Sequence, residues 1–375
     1  MLNRFLFLFF VFISISAFSQ SRCEFLFHSP LADSTSKQSV LGLIRTNLDK
    51  PIVSQCVGTC YLEATASVVE SKLSHYLNKP VTISRASFFM TNLMSRIESL
   101  LDRDSEGLRS AINSAAGKID IVSNGSVRQM EDLLNSRSIE VFTQPRTQSE
   151  VYAENKLIKY IHEKTSRFLY ELTRQIDANE VQNEQQADAA FQSLLKSRIN
   201  DLISDLKNDD TIKNRPKGKR LDDFEFKLRP LQIYLQKTAD NKTRLGPDLE
   251  KDIINRLKQN GELELSYYHI KDYVRRRNGH DGFLELPENE KLLTSAEVKK
   301  RKLGGGHLVS VVDVLLDANH RIEYLVVKNT WGAQGDTDRG YHYISIDYLT
   351  TVDTNLDKGY NRFQIYDWQI KEDEL

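Results

Sequence analysis

Cysteine and tryptophan are scarce in this chain, which has three cysteines and two tryptophans among 375 residues. No cysteines and histidines are grouped with the spacing of zinc ligands, so we expect no metal site, and no other motif asks for a cofactor. Neither sign of charge is in excess, since Lys and Arg number 51 and Asp and Glu number 52. This balance argues against nucleic acid as the main partner.

Long apolar runs are absent except near the N-terminus. Residues 1–4 supply a positive charge, residues 5–15 are almost entirely apolar, and the small residues Ala17 and Ser19 suit a cleavage after Ser19. The apolar run is too short to span a bilayer comfortably. The pattern predicts a signal peptide over residues 1–19, and hence an exported protein, secreted or periplasmic, with no stable membrane insertion.

The three cysteines are Cys23, Cys56 and Cys60. In an oxidising compartment an odd count suggests one disulfide and one working thiol. A bond between Cys56 and Cys60 would remove the candidate nucleophile described below, so Cys23–Cys56 is the favoured pair. Three cysteines without any disulfide are the open alternative.

The apolar pattern divides the chain into three parts after the predicted signal peptide. Residues 20–147 are predicted to form a helical lobe, with one helix starting at Cys60 and a second one capped by Ser84. Residues 148–245 are charged and carry apolar residues at helical spacing. This predicts an insertion of two amphipathic helices with a break near residues 177–183.

Residues 246–375 change to the pattern of β-strands. Strands are predicted at residues 263–267, 308–316, 324–327 and 340–346. Strands at these intervals favour an antiparallel sheet or an open barrel. The sequence therefore predicts an α+β fold with a helical N-terminal lobe, a large helical insertion and an antiparallel, β-rich C-terminal lobe. A cleft between two unlike lobes is a natural place for a site.

Three residues far apart in the sequence carry the parts of a thiol nucleophile. Cys60 lies at a helix start, where the unpaired N–H groups of the first turn favour a thiolate. His307 opens a predicted strand after Gly304–Gly306, which we expect to let the backbone enter the strand at an angle that a bulky residue would resist. Asn329 follows the next strand, and its amide oxygen can fix the tautomer of an imidazole. Together they predict a Cys-His-Asn arrangement for nucleophilic catalysis.

Two further residues have both a catalytic and a structural interpretation. Gln55 can donate its side-chain N–H, beside the Cys60 backbone N–H, to an oxyanion. Trp331 can shield the bond between His307 and Asn329 from water. In the structural interpretation Asn329 is a turn residue that ends a strand and Trp331 is a core aromatic residue. The full set of residues favours the catalytic interpretation.

The motif Gln-x-x-Gly-x-Cys-Tyr at Gln55–Tyr61, the strand-opening His307 and the run Lys328–Gly332 resemble the papain-like cysteine peptidases. Residues 81–89 look like the helix start of the bleomycin hydrolase and aminopeptidase C branch. Asn124–Ser126 is similar to the Gly-Gly substrate-binding turn of that branch. The resemblance leaves the helical insertion unmatched.

This resemblance implies a papain-like two-lobed fold and a role for each matched residue. Cys60 is implied to be the nucleophile, His307 the general acid and base, and Asn329 the orienting amide. Gln55 is implied to be the oxyanion donor, with Gly58 in the same turn near the site.

The resemblance also implies a substrate groove, with two departures from the family pattern. Gly125 is implied to offer backbone hydrogen bonds to an extended peptide. Asn124 stands where the family has a glycine, and we expect it to narrow the groove. Gln55 lies five residues before Cys60, where the family has six, so we expect a tightened turn or a weaker oxyanion donor.

We therefore predict a cysteine peptidase that hydrolyses peptide or protein substrates through a thiolate mechanism. Two alternatives remain open. The same three residues serve an acyl transferase in one of them. In the other, the chain is a catalytically weak or inactive papain-like binding protein that acts through its helical insertion.

Overall fold

The structure, a computed structural model, describes residues 59–102, 125–136, 139–144, 146–180, 188–224, 226–233, 245–277, 280–287, 293–301, 304–330, 340–355 and 363–372. The predicted signal peptide, residues 1–19, lies outside these ranges. Within them, no helix combines the length and the apolar content needed to cross a bilayer.

The described helices lie mainly in the first two thirds of the chain. They are α1 (Cys60–Tyr76), α2 (Arg85–Leu101), α3 (Val127–Ser136), α4 (Gln148–Glu180), α5 (Asp188–Asn208), α6 (Asp210–Lys213), α7 (Pro247–Asn260), α8 (Ser295–Arg301) and α9 (Ile346–Asn355). The described strands are β1 (Thr82–Ile83), β2 (Glu140–Phe142), β3 (Lys219–Arg220), β4 (Phe226–Ile233), β5 (Leu263–Ile270), β6 (Val274–Arg277), β7 (His280–Leu284), β8 (Gly304–Leu316), β9 (Ile322–Lys328), β10 (Tyr341–Ser345) and β11 (Gln364–Glu372). The architecture is α+β, as the sequence predicts.

Helix α1 is the central helix of the helical lobe and is buried on nearly all sides. Its residues Val68, Val69 and Leu73 are buried in one cluster with Phe88 and Phe89 of α2. Burial of each such side chain contributes roughly 1.5–3 kcal/mol. The packing therefore holds α1, and the residue that begins it, in one position.

Helix α2 begins at Arg85, after the cap that the sequence predicts. The Ser84 hydroxyl oxygen accepts a hydrogen bond from the Ser87 backbone N–H at 3.1 Å. Glu154 of α4 accepts from the Ser84 hydroxyl at 2.5 Å and from the Ala86 backbone N–H at 3.0 Å. The insertion thus satisfies N–H groups at the start of α2 that would otherwise lack partners.

Helices α4 and α5 of the predicted insertion pack against α2. Helix α4 extends to Glu180, so it continues into the region where the sequence predicts a break, and α5 begins at Asp188. The buried apolar residues that these two helices add to the core are Leu157, Ile158, Ile161, Leu172, Leu195, Ile199, Leu202 and Leu206. The apolar faces predicted for the insertion therefore pack on the protein's own helical lobe.

Eight of the described strands form one sheet in the order β4, β11, β5, β8, β9, β10, β7, β6. The predicted strands correspond to β5, β8, β9 and β10, and their neighbouring pairs are antiparallel. One pair, β10 and β7, is parallel. These two strands are separated in the chain by α8 and the β8–β9 hairpin, so no tight turn imposes an antiparallel pairing on them.

Strands β4 and β11 were not predicted, and they form one edge of the sheet. Pro230 lies within β4, where the edge position tolerates a residue without a backbone N–H. Trp368 of β11 is buried, and its Nε1–H donates to Glu264 at 2.6 Å. Strand β4 belongs to the residues predicted as insertion, yet it pairs with the last described strand of the chain.

Candidate active site

Cys60 is the first residue of α1 and is half-buried. The preceding residue, Thr59, makes no side-chain hydrogen bond that caps the helix. The backbone N–H groups at the start of a helix carry partial positive charge, which favours a thiolate at Cys60.

A carboxylate lies in the same first turn and would oppose that effect, but it is neutralised. Glu63 is buried and accepts a hydrogen bond from Arg85 Nε at 2.8 Å. Arg85 also pairs with Glu70, about two helical turns further along α1. Burial disfavours the Arg85 cation, but the two carboxylates outweigh this and raise its pKa. The start of α1 therefore carries no uncompensated negative charge from Glu63.

His307 and Asn329 form the hydrogen bond that the sequence predicts. The distance between His307 Nε2 and Asn329 Oδ1 is 2.9 Å, and both side chains are buried. The Thr330 backbone N–H also donates to Asn329 Oδ1, at 2.8 Å. A backbone N–H can only donate, so this contact identifies the amide atom as the oxygen. His307 Nε2 must then be the donor, and Nδ1 is the acceptor nitrogen of the neutral ring.

Burial sets the charge of this imidazole. It lowers the pKa of His307 to about 4, while the hydrogen bond to Asn329 acts in the opposite direction. His307 is therefore neutral at physiological pH as long as no negative charge lies beside it. A proton that leaves a nearby thiol for Nδ1 would create two charges together, each of which stabilises the other.

Strand β9 anchors Asn329 through the residue before it. Lys328 Nζ donates to Ser67 of α1 at 3.0 Å and to Glu262 at 3.3 Å. Ser67 donates to Glu262 as well, at 2.8 Å, and Ser310 of β8 completes this buried network. The network joins α1 to the sheet immediately beside Asn329, so the two parts of the site cannot move independently.

Three residues near His307 were not singled out as site residues from the sequence. The Tyr267 ring centroid lies 5.8 Å from that of His307, and the His269 ring lies 6.0 Å from it. His342 lies 5.4 Å from His269. The Tyr267 hydroxyl and His269 Nδ1 are 2.9 Å apart. Tyr267, His269 and His342 are thus a buried aromatic group near His307 that the sequence patterns did not reveal.

Tyr267 lies in surroundings that keep its hydroxyl protonated. Burial raises the pKa of Tyr267 well above its usual value, and negative charge at Tyr348 and Cys60 raises it further. The Tyr267 ring also packs beside the ring of His307. The signal in the sequence was the alternation of β5, which places Tyr267 directly opposite His307 in the register with β8.

Burial also keeps the two neighbouring imidazoles neutral. It lowers the pKa of His342 to about 3 and that of His269 well below its usual value, and neighbouring imidazoles add to the effect. Neither ring therefore contributes a competing positive charge near His307 at neutral pH.

The glycines before His307 do not act as predicted. Gly304, Gly305 and Gly306 are paired residues of β8, so the strand begins before His307 instead of at it. Only the first of them needs to be glycine, because a Cβ at Gly304 would lie 2.0 Å from the His269 carbonyl oxygen. A Cβ at Gly305 or Gly306 would meet no atom within 4 Å.

Gly125 lies beside the residue that follows Cys60. A Cβ on Gly125 would lie 2.0 Å from the ring of Tyr61. Gly125 also lines a cleft of about 680 Å³ that continues to Leu308, the neighbour of His307. The position of Gly125 is therefore compatible with a wall of a substrate groove.

Several predicted site residues lie outside the described residues. They are Gln55, Gly58, Asn124, Trp331 and the predicted disulfide partners Cys23 and Cys56. The oxyanion donor, the shield over the His307–Asn329 bond and the disulfide stay predictions. In the parts of the chain that the structure describes, no group of three or more His, Cys, Asp or Glu residues could hold a metal ion.

No protein-family model and no curated protein sequence matches this chain. Among solved structures it is similar to xylellain, a cysteine protease from Xylella fastidiosa, with a TM-score of 0.36 and 12% identity. That match covers 83% of this chain and 80% of xylellain. The chain is also similar to the clostridial cysteine protease Cwp84 after propeptide cleavage, with a TM-score of 0.36 and 11% identity. This second match covers 85% of this chain and 54% of the other, about half of its length.

Proposed function

We propose that this protein is a papain-like cysteine peptidase that hydrolyses bonds in peptide or protein substrates. The observation that carries the proposal is the 2.9 Å contact between His307 Nε2 and Asn329 Oδ1. Because the Thr330 backbone N–H donates to the same oxygen, His307 is the Nε2–H tautomer. Its Nδ1 is then the acceptor nitrogen, which can act as the base.

The residues support the following sequence of steps. His307 Nδ1 takes the proton of the Cys60 thiol, and the thiolate attacks the peptide carbonyl carbon. As the C–N bond breaks, the imidazolium gives its proton to the leaving amine and a thioester remains. A water molecule, deprotonated by His307, then attacks the thioester and releases the acid. Asn329 holds the ring in one tautomer throughout.

Stabilisation of the tetrahedral oxyanion needs donors near Cys60. The Cys60 backbone N–H belongs to the first turn of α1 and is proposed as the first donor. Gln55 is proposed as the second donor on the sequence motif alone. Its interval to Cys60 is one residue shorter than in the family, so we expect a tightened turn or a weaker oxyanion donor.

The packing of the insertion favours the enzyme over a binding protein that acts through α4 and α5. The apolar faces of both helices are buried against α2, so folding alone accounts for their amphipathic pattern. Kinship with the bleomycin hydrolase and aminopeptidase C branch is proposed on the sequence motifs only. Export of the protein is proposed on the N-terminal segment only.

The experiment is a digest of a peptide mixture by the wild type and by Cys60→Ala, read by mass spectrometry. We expect new peptide ends with the wild type and none with the variant. A parallel digest with an added amine distinguishes hydrolysis from acyl transfer, since a transferase would yield amide adducts. Identical product patterns from wild type and Cys60→Ala would overturn the proposal.

A further inference from the structure

The cleft between the two lobes carries positive charge that the fold does not use. It has a volume of about 680 Å³ and is bounded by Gly125 on the helical side and by Leu308 on the sheet side. Gly125 packs on Tyr61, the residue after Cys60. A peptide held against Cys60 would therefore pass Gly125 and extend into this cleft.

Three cationic side chains line the cleft: Arg128 of α3, Arg229 of β4 and Lys371 of β11. All three are exposed, and none forms an ion pair with a carboxylate that the structure describes. Glu131 is the one carboxylate among the described residues of the lining, so the cleft has a positive balance.

Several arginines elsewhere in the described structure are paired with carboxylates. They include Arg85, Arg146, Arg215, Arg256, Arg277 and Arg321. The charge of the three cleft residues is not offset in this way, so it is available to a ligand.

The strand register places part of this charge on one surface. Arg229 lies opposite Gln369 in the antiparallel pair of β4 and β11, and Lys371 is two residues further along β11. Residues two apart on a strand share one face, so Lys371 and Gln369 point the same way. A guanidinium, an ammonium and an amide on one wall offer several donors to a carboxylate.

We propose that this cleft selects peptide substrates with a glutamate or aspartate side chain near the scissile bond. This inference rests on the proposed function, because the cleft is a substrate groove only if Cys60 acts on a peptide. Charge-assisted hydrogen bonds from Arg128, Arg229 or Lys371 would recognise the acidic side chain. Glu131 would disfavour it, and basic side chains would be repelled by the net charge.

The test uses matched fluorogenic peptides that carry Glu, Gln or Lys at one of the three positions before the scissile bond. For the wild type we expect kcat/KM to fall in the order Glu, Gln, Lys at the selective position, with roughly tenfold between Glu and Lys. Added salt should reduce the ratio, because the cationic side chains are exposed.

Substitution of single charged residues of the cleft identifies the side chains that recognise the acidic substrate group. Arg128→Gln or Arg229→Gln should lower the Glu-to-Lys ratio several-fold, and Glu131→Gln should raise it. Arg174→Gln is the matched control, since Arg174 is an exposed arginine of α4 outside the cleft. It should leave the ratio unchanged.

A binding measurement tests the selectivity of the cleft independently of whether the protein cleaves peptides. The same peptides are titrated into Cys60→Ala and followed by fluorescence anisotropy. Tighter binding of the Glu peptide than of the Lys peptide supports the inference even if no hydrolysis is seen. Equal binding of both peptides, or equal cleavage by an active wild type, overturns it.

Discussion

Replacement of Asn329 by alanine removes one oxygen that two buried donors share. Asn329 is 1% exposed, and its Oδ1 accepts from His307 Nε2 at 2.9 Å and from the Thr330 backbone N–H at 2.8 Å. The variant leaves both donors in a place that bulk water does not reach. It therefore tests at once how the site is held and how the imidazole is oriented.

The expected loss of stability follows from these two contacts. A buried donor left without an acceptor costs about 1–3 kcal/mol. The Thr330 backbone cannot turn away, whereas the His307 ring has some freedom to find another acceptor. We therefore expect the free energy of unfolding to fall by about 2–4 kcal/mol.

The expected loss of activity comes from the imidazole. During the reaction His307 becomes positively charged, and a hydrogen bond to a charged group is worth about 1.5–3 kcal/mol. We therefore expect kcat/KM of Asn329→Ala to fall roughly 10- to 100-fold. The assay measures kcat/KM with a peptide substrate and unfolding in urea on the same preparation.

Asn135 provides the matched control. Its amide donates to the Leu228 carbonyl at 2.6 Å and to the Glu131 carbonyl at 3.0 Å, and it accepts from the Leu228 backbone N–H at 2.8 Å, so it also holds two segments together through its side-chain hydrogen bonds. Asn135→Ala should lose stability and keep its kcat/KM. An Asn329→Ala protein that is destabilised but as active as Asn135→Ala would refute the orienting role.

Asn329→Asp tests whether His307 needs only an acceptor oxygen at this position or needs the uncharged amide. It keeps an oxygen for His307 and adds a negative charge, which favours the imidazolium and raises the pKa of His307. We expect the pH profile of this variant to shift to higher pH relative to the wild type. An unchanged profile would contradict the contact between the two side chains.

Three further predictions follow from the packing and the buried charges. Gly304→Ala should unfold at a lower urea concentration, since its Cβ would lie 2.0 Å from a backbone carbonyl of β5, whereas Gly305→Ala, with no atom within 4 Å, should not. Gly125→Ala should lower kcat/KM, because the Cβ would lie 2.0 Å from the Tyr61 ring and displace the segment beside the thiol. Burial raises the pKa of Glu264 from 4.5 to about 7, so its protonated form stabilises the fold by about 3 kcal/mol below pH 4.5, and this is lost as the pH rises to 7. The difference in unfolding free energy between wild type and Glu264→Gln, measured across this range, should show that slope.

Each of these three predictions has an outcome that contradicts it. Equal urea midpoints for Gly304→Ala and Gly305→Ala would refute the close approach of β8 to β5. Full activity of Gly125→Ala would remove that residue from the groove. A pH-independent difference between wild type and Glu264→Gln would mean that Glu264 is ionised in the folded protein.

Local sequence patterns were sufficient to predict the helices and the strand that hold the candidate site residues. Helix α1 begins at Cys60, Ser84 caps α2, and Asn329 directly follows β9, all as predicted. Helix caps and apolar periodicity depend on residues that are close together in the chain, so they can be recognised from a single sequence. The insertion helices followed from the same kind of signal.

The parts that were missed depend on residues far apart in the chain. Strand β4 contains Pro230 and two charged residues, Lys227 and Arg229, so its pattern alone does not indicate a strand that pairs with β11. Tyr267 and His342 reach the neighbourhood of His307 only through the strand register. The three glycines before His307 suggested a bend, but only their pairing with β5 shows that they extend the strand.

The reactivity of Cys60 tests the central claim most directly. Alkylation by iodoacetamide is followed against pH for the wild type and for His307→Ala, with the modified cysteine identified by peptide mapping. An ordinary thiol has a pKa of about 8.5 and reacts slowly near pH 6. We predict that native Cys60 reacts rapidly at about pH 6 and that His307→Ala loses this reactivity. A native Cys60 that follows the same pH curve as the denatured protein would contradict the thiolate–imidazolium pair.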